Sequence, residues 1–119
     1  HYVDLQSAVS QVVESGATPL FILLDGVTDV RNVGAIARSA LALGAQVLIL
    51  PTSNSATLTE DAVKTSAGAL HKLTLCRTPS VAQAVDVLRL NGIAVLGTQM
   101  QGSVPVWEAD LAGPCCIVM

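Results

Sequence analysis

The sequence has 119 residues and a formal net charge of −3 at neutral pH, and it is 51% hydrophobic but only 13% charged. This composition excludes a disordered chain, and the length leaves room for one small domain with a single core. The acidic balance argues against a domain that grips nucleic acid by general electrostatics, because neutralising phosphates takes clustered lysines and arginines.

Apolar stretches, cysteines and histidines exclude several further classes of protein. The longest apolar stretches are shorter or more interrupted than a membrane-spanning helix requires, and the N-terminus lacks a secretory signal, so a cytoplasmic location is expected. Cys76, Cys115 and Cys116 lie in apolar segments and are predicted to be reduced core residues. His1 and His71 have no ligand-like neighbours, so no metal site is predicted.

The first half of the chain alternates between helix and strand patterns. Apolar residues at helical spacing predict an amphipathic helix over residues 4–15, and a continuous apolar run predicts a buried strand at 19–26. The next helix is predicted to start at Asn32, as N-cap, and to end before Gly44. A second strand is predicted at 45–51.

The second half continues the same alternation. Thr59 and two acids in the following turn predict a short helix over 59–69. Ser80 and Gln83 form a capping box for a helix that ends before Gly92. Three more strands are predicted at 72–77, 92–98 and 114–119.

Buried strands that alternate with helices predict parallel pairing and right-handed crossovers. The expected fold is a Rossmann-like α/β sheet of about five strands with helices on both faces, forming one domain over residues 1–119. Residues 99–113 are predicted to be a long connection. Ligands of open parallel sheets bind beyond the carboxyl ends of the strands, and the chain stops at Met119, where such an end is expected. The sequence is therefore expected to be cut off at its own site.

Arg38 is the candidate functional residue of the second predicted helix. At 100° per residue it lies opposite the centre of an apolar stripe, and Gly34, one turn earlier, leaves space for another molecule on the same face. The stripe consists of Val33, Ile36, Ala40 and Leu43. The polar loop before the helix carries Asp25, Asp29, Arg31 and Asn32. An ordinary solvated arginine is the alternative interpretation.

The stretch LLDGVTDVRNVGAIARSALALGA closely resembles the first conserved motif of the SpoU (TrmH-like) branch of the SPOUT RNA methyltransferases, in which N-x-G-x-x-x-R-x-A follows the first strand. The similarity continues through ILPTSNSATL, VKTSAGAL, GIAVLGT and CIVM, so it covers the chain from about Leu20. The resemblance implies a SPOUT-type catalytic domain that methylates the 2'-hydroxyl of ribose in ribosomal or transfer RNA. It also implies S-adenosylmethionine as methyl donor and a homodimeric parent protein.

The same resemblance assigns the site residues. Arg38 would lie at the substrate phosphate and ribose, and Asn32 would fix the loop and the arginine. Because guanidinium groups hold their proton at neutral pH, we expect Arg38 to stabilise the developing alkoxide and orient the phosphate, in preference to the general-base role proposed for the family arginine. The positions that would contact the methyl donor are Gly97, Thr98, Gln99 and the backbone of Met119. A simple strand end is the alternative for Gly97 and Thr98.

The chain also departs from the family pattern. Val30 stands where many members have proline. The second and third motifs, whose glycine-rich loop and threaded tail form a trefoil knot, are not in this sequence, and neither is a separate RNA-binding domain. We therefore expect the N-terminal portion of a catalytic domain, inactive by itself and weak in donor binding.

The sequence fits two other classes of protein, and one other catalytic site, less well. Asp25 at the end of the first strand suggests a regulatory phospho-receiver, but the acidic pair and late lysine of receivers are missing. A small-molecule-binding Rossmann domain would need G-x-G-x-x-G after the first strand and an acid where Pro51 stands. Lys64 and Ser66 are two residues apart on a predicted helix, so they do not face each other as a catalytic pair would.

Overall fold

The computed structural model describes residues 3–26, 30–52, 73–97 and 113–119. In these ranges the helices are α1 (Leu5–Glu14), α2 (Val30–Leu43) and α3 (Val81–Leu90). The strands are β1 (Leu20–Leu23), β2 (Val47–Pro51), β3 (Thr74–Thr78), β4 (Ala94–Gly97) and β5 (Cys115–Val118). Each element starts and ends inside its predicted range or within two residues of it. The predicted helix over 59–69 and nearly all of the predicted connection over 99–113 lie outside the described residues.

The five strands form one parallel sheet in the order β3-β2-β1-β5-β4, which confirms the predicted α/β architecture. The central strand β1 pairs with β2 on one side and β5 on the other. In this register Val118 of β5 lies level with Leu23 of β1 and with Gly97 of β4. Three neighbouring strands therefore end at the same height, where the sequence predicts the site.

Side chains alternate between the two faces of the sheet, and each face has its own core. α2 covers one face, where it packs against Ile22, Leu48, Leu50 and Ile117. α1 and α3 cover the other face, where they pack against Phe21, Leu23, Val47, Ile49 and Cys116. The strands are buried on both sides, which is why they read as continuous apolar runs in the sequence.

The buried face of α2 differs from the predicted stripe. Val33 and Ala40 are buried as expected, but Ala37 is also fully buried, whereas Leu43 is 63% exposed. Ala37 is small enough to let the helix approach the sheet. Ala45, two residues after the last residue of α2, is buried in the same core, in the place where the sequence predicts Leu43. The predicted open space at Gly34 is also wrong, because this glycine is buried.

Helix boundaries bring a second correction. α2 begins at Val30, so Asn32 is the third helical residue and not the N-cap. A capping side chain must precede the first turn to reach the amides there, and Asn32 lies within that turn. In α3, by contrast, Ser80 accepts a hydrogen bond of 3.2 Å from the backbone N–H of Gln83, as predicted.

The three cysteines lie in the core as free thiols, as the sequence predicts. Burial raises the pKa of Cys76 to about 12, with a smaller contribution from the negative charge of Asp4. Burial, with a smaller contribution from Cys115, also raises the pKa of Cys116 to about 12. These thiols therefore stay protonated and unreactive at neutral pH.

Candidate functional site

At the carboxyl edge of the sheet, each strand contributes either its last residue or a residue just beyond its end. In strand order across the sheet these residues are Thr78, Thr52, Asp25, Met119 and Gly97. Because parallel strands all end at this edge, residues from distant parts of the sequence are brought side by side. Two predicted site residues are brought together in this way: Gly97 ends β4, and Met119 directly follows the adjacent strand β5.

At β2 and β3 the polar groups of this edge bond to each other. The backbone N–H of Thr52 donates to the carbonyl of Thr78 at 2.8 Å, and the Thr52 hydroxyl donates to the carbonyl of Pro79 at 3.5 Å. Thr78 is only 6% exposed, and its hydroxyl donates to the carbonyl of Ser80 at 3.2 Å. These bonds join the ends of β2 and β3, and both of the described residues predicted to contact the methyl donor lie on the other side of the sheet, at β5 and β4.

The backbone of Met119 is held by the central strand. Its N–H donates to the carbonyl of Leu23 at 2.9 Å, and its carbonyl accepts from the N–H of Asp25 at 2.9 Å. The side chain is 40% exposed at the edge. Met119 therefore presents an apolar side chain from a fixed backbone.

Gly97 offers open backbone on the neighbouring strand. A Cβ atom added at this position would meet no described atom within 4 Å, and the residue is exposed. A flat ligand can therefore approach the main chain of β4, beside the apolar side chain of Met119. Thr98 and Gln99 lie outside the described residues.

α2 follows the central strand and carries the predicted catalytic residues. The side chains of Arg38 and Asn32 are both exposed, so neither is packed into the core. Arg38 follows Asn32 by six positions in the helix, which places the two residues about 120° apart around the axis. The structure therefore puts them on one solvent-facing side of α2 but in different rows.

Arg31 is a residue whose position the sequence pattern did not reveal. The sequence places it in the polar loop, whereas the structure places it in the first turn of α2 with an exposed side chain. It lies seven residues before Arg38, a spacing that returns to nearly the same side of a helix. The spacing of seven residues could have revealed this relationship. The predicted helix start at Asn32 left Arg31 outside the helix, so the spacing had no structural meaning there.

Other parts of the described structure show no comparable arrangement. A cavity of about 320 Å³ lies at the opposite, amino-terminal edge of the sheet, between Val13, Pro19, Ile93 and Pro114, where no predicted site residue lies.

Over residues 3–26, 30–52, 73–97 and 113–119, no three His, Cys, Asp or Glu side chains are grouped as a metal site. No helix in those ranges is long and apolar enough to cross a membrane.

Comparison with known proteins identifies relatives that share this architecture. A family model described as the SpoU rRNA Methylase family matches residues 19–119. The 23S rRNA (guanosine-2'-O-)-methyltransferase RlmB of Pseudomonas syringae is 39% identical over 105 residues, which are 88% of this chain and 42% of that protein. The sequence resemblance is thus found again in a curated relative.

Solved structures agree with the fold. The SpoU methyltransferase AviRb from Streptomyces viridochromogenes, in complex with the cofactor AdoMet, is 30% identical with a TM-score of 0.70, covering 86% of this chain and 42% of that chain. The AdoMet-bound rRNA methyltransferase from Sinorhizobium meliloti is 25% identical with a TM-score of 0.77, covering 100% of this chain and 44% of that chain. The chain thus spans about two fifths of the length of these relatives.

Proposed function

We propose, because the chain belongs to the SpoU rRNA Methylase family, that it forms part of an S-adenosylmethionine-dependent RNA 2'-O-ribose methyltransferase. Ribosomal RNA is the favoured substrate over transfer RNA, since the relative in Pseudomonas syringae is named for 23S rRNA. The observation that carries the proposal is the exposed Arg38 on the helix that leaves the central strand, whose end also holds the backbone of Met119.

Arg38 would act on the ribose and its phosphate. A ribose hydroxyl is a poor nucleophile, and its oxygen gains negative charge as the new bond to carbon forms. A guanidinium beside that oxygen stabilises the charge, while its planar fork holds the adjacent phosphate in a fixed orientation. Because guanidinium groups hold their proton at neutral pH, we assign charge stabilisation and positioning to Arg38 and leave proton removal to another acceptor.

Gly97 and Met119 would contact the methyl donor from adjacent strands. S-adenosylmethionine supplies a methyl group on a positively charged sulfur. Gly97 would admit the ligand to the backbone of β4, and the Met119 side chain would cover an apolar part of it. Thr98 and Gln99 complete the proposed donor-binding set from the sequence alone.

Asn32 would support the loop that precedes α2. Its amide is exposed in the first helical turn, so it can reach either that loop or the substrate. Helical geometry places it away from the row of Arg38, which favours an action on the loop over a direct bond to the arginine. Homodimerisation of the parent protein and a cytoplasmic location are further parts of the proposal.

Methyl transfer can be tested in a chimera in which residues 19–119 replace the aligned part of the Pseudomonas syringae enzyme. Ribosomal RNA is incubated with the chimera and S-adenosylmethionine, digested to nucleosides and analysed by mass spectrometry. We expect 2'-O-methylated nucleoside from RNA and none from a substrate with a 2'-deoxy nucleotide at the target. A folded chimera that transfers no methyl group would favour the alternative, a non-catalytic Rossmann-like module.

A further inference from the structure

We infer that Arg31 is a second phosphate-binding residue for the RNA substrate and acts together with Arg38 along one exposed row of α2. The inference rests on the proposed function and adds to it the part of the RNA that is held beyond the target nucleotide. Nothing in the family resemblance assigns a role to Arg31.

The geometry of α2 places the two arginines in one row. Seven residues correspond to 700°, only 20° short of two full turns, and to about 10.5 Å along the helix axis. Both side chains are exposed. Ala35 lies between them on the same side and is also exposed, so no large side chain of α2 separates the two guanidinium groups.

The charge of the helix is unusual for this protein. The chain has nine acidic residues and only six lysines and arginines, yet α2 carries two arginines and no acid. Arg31 stands in the first turn, where the helix dipole disfavours a cation and favours an acid. The helix dipole therefore does not favour an arginine at this position, whereas an anionic ligand would.

The spacing of the row suits a nucleic acid strand. The separation of about 10.5 Å along the axis is larger than the distance between adjacent phosphates of one strand, and a strand of a few nucleotides can bridge it. This separation also exceeds the Debye length of about 8 Å at physiological salt, so each guanidinium can hold its own phosphate. With Arg38 at the target nucleotide, Arg31 would bind a phosphate a few nucleotides away on the same strand.

Two other arginines provide controls. Arg89 is exposed in the last turn of α3, which packs on the opposite face of the sheet from α2. Arg77 is half-buried on the edge strand β3. Neither lies in the row, so general attraction between arginines and RNA can be separated from binding along α2.

The test follows the arginine Nε–H signals of the 119-residue chain by 15N NMR while RNA is added at up to millimolar concentration. We expect the signals of Arg31 and Arg38 to shift together with a hexanucleotide, while that of Arg89 stays in place. The hexanucleotide should bind about tenfold more tightly than a dinucleotide, which is too short to reach both residues. If inorganic phosphate at the same concentrations shifts both signals equally, the two arginines bind anions in general and not an RNA strand, and the inference is overturned.

Substitutions sharpen the result. Arg31→Ala should bring the hexanucleotide affinity close to that of the dinucleotide and lower the slope of log K against log salt by about 0.7, the value for one phosphate of a single strand. Arg31→Lys should keep most of this slope, because an ammonium still neutralises a phosphate. Arg89→Ala should change neither quantity.

The inference is overturned if Arg31→Ala leaves the hexanucleotide affinity within twofold of the unmodified chain, if Arg89→Ala weakens it equally, or if neither α2 signal moves. If only the Nε–H signal of Arg38 shifts, Arg31 does not contact the RNA and the inference is wrong, while the proposed function is unaffected. If both signals move but the chimera transfers no methyl group, the RNA contact stands and the proposed function is wrong. In an active chimera, Arg31→Ala should raise KM for RNA about tenfold with little change in kcat.

Discussion

The backbone N–H of Asp25 donates a hydrogen bond of 2.9 Å to the carbonyl of Met119. This bond joins the end of the central strand, from which α2 departs, to the end of β5, where the donor-binding edge is proposed. The segment that leads from β1 towards α2 is therefore bonded at its start to the proposed donor side. Arg38 lies elsewhere, on an exposed surface of α2, so substitutions of Arg38 and of the edge residues can be tested separately.

Replacement of Arg38 by alanine should remove catalysis without unfolding the protein. In the chimera we expect kcat to fall by about 10²–10³, the usual loss when one group that stabilises an oxyanion is removed. The side chain is exposed, so the free energy of unfolding, measured in urea, should change by less than about 1 kcal/mol. Steady-state methyl transfer checks the first value, and Arg89→Ala serves as the matched control. Near-normal turnover of Arg38→Ala would refute its assignment.

The 119-residue chain should bind S-adenosylmethionine only weakly. Gly97 and Met119 are exposed at the sheet edge, so a ligand held there by these residues alone would leave much of its surface in water. Titration calorimetry with the isolated chain should give negligible heat, whereas the chimera should bind. A micromolar dissociation constant for the isolated chain would contradict this expectation.

Two glycines should respond differently to substitution by alanine. Gly44 directly follows α2 and has a φ of 89°. This left-handed conformation costs a residue with a side chain about 1–2 kcal/mol. Gly97 has space for a methyl group. Urea unfolding should therefore show a loss of about 1–2 kcal/mol for Gly44→Ala and little change for Gly97→Ala. In the chimera, Gly97→Ala should weaken donor binding, and equal donor affinity would remove Gly97 from the site.

Gln46 should be a strong determinant of stability despite its polar side chain. Its Oε1 accepts from the backbone N–H of Leu20 at 2.7 Å, and its Nε2 donates to the carbonyl of Thr18 at 3.1 Å. Alanine at this position would leave both backbone groups without these partners, at a cost of about 1–3 kcal/mol. Urea unfolding of Gln46→Ala and of Gln11→Ala, an exposed position on α1, compares the two. Equal stability of both variants would show that the bonds to Gln46 contribute nothing.

Alkaline pH should destabilise the fold through its buried thiols. In the unfolded chain Cys76 and Cys116 ionise near their ordinary pKa of 9.0, whereas in the folded chain the pKa is about 12. Their contribution to stability is therefore complete below about pH 9 and is lost as pH rises from about 9 to 12. The free energy of unfolding, measured in urea at several pH values, should fall over the accessible part of this range.

A variant with alanine at both Cys76 and Cys116 provides the control for that prediction. Its free energy of unfolding should decline less steeply above pH 9, because the shifted thiols are absent. An identical slope in the two proteins would show that other groups cause the loss. At pH 8, a thiol reagent should modify these cysteines in the original chain only after unfolding.

Local sequence rules were sufficient to predict most of the framework. Continuous apolar runs identify strands that are buried on both faces, and Ser80 predicts the start of α3, because these signals depend on residues that are close in sequence. The motif around Arg38 likewise indicates the family from the sequence alone. The buried face of α2 was predicted less well. Packing against the sheet buries Ala37 and leaves Leu43 exposed, which the spacing of apolar residues does not show.

The sequence by itself determined the alternation of elements, the parallel α/β class and the exposure of Arg38, since all three follow from periodicity and chain order. Only the tertiary structure decided that β5 lies between β1 and β4, which places Gly97 and Met119 on neighbouring strand ends. It also decided that α2 begins early enough to put Arg31 in the row of Arg38. The physical reason is that strand order and helix start depend on packing between segments distant in sequence, which no local pattern records.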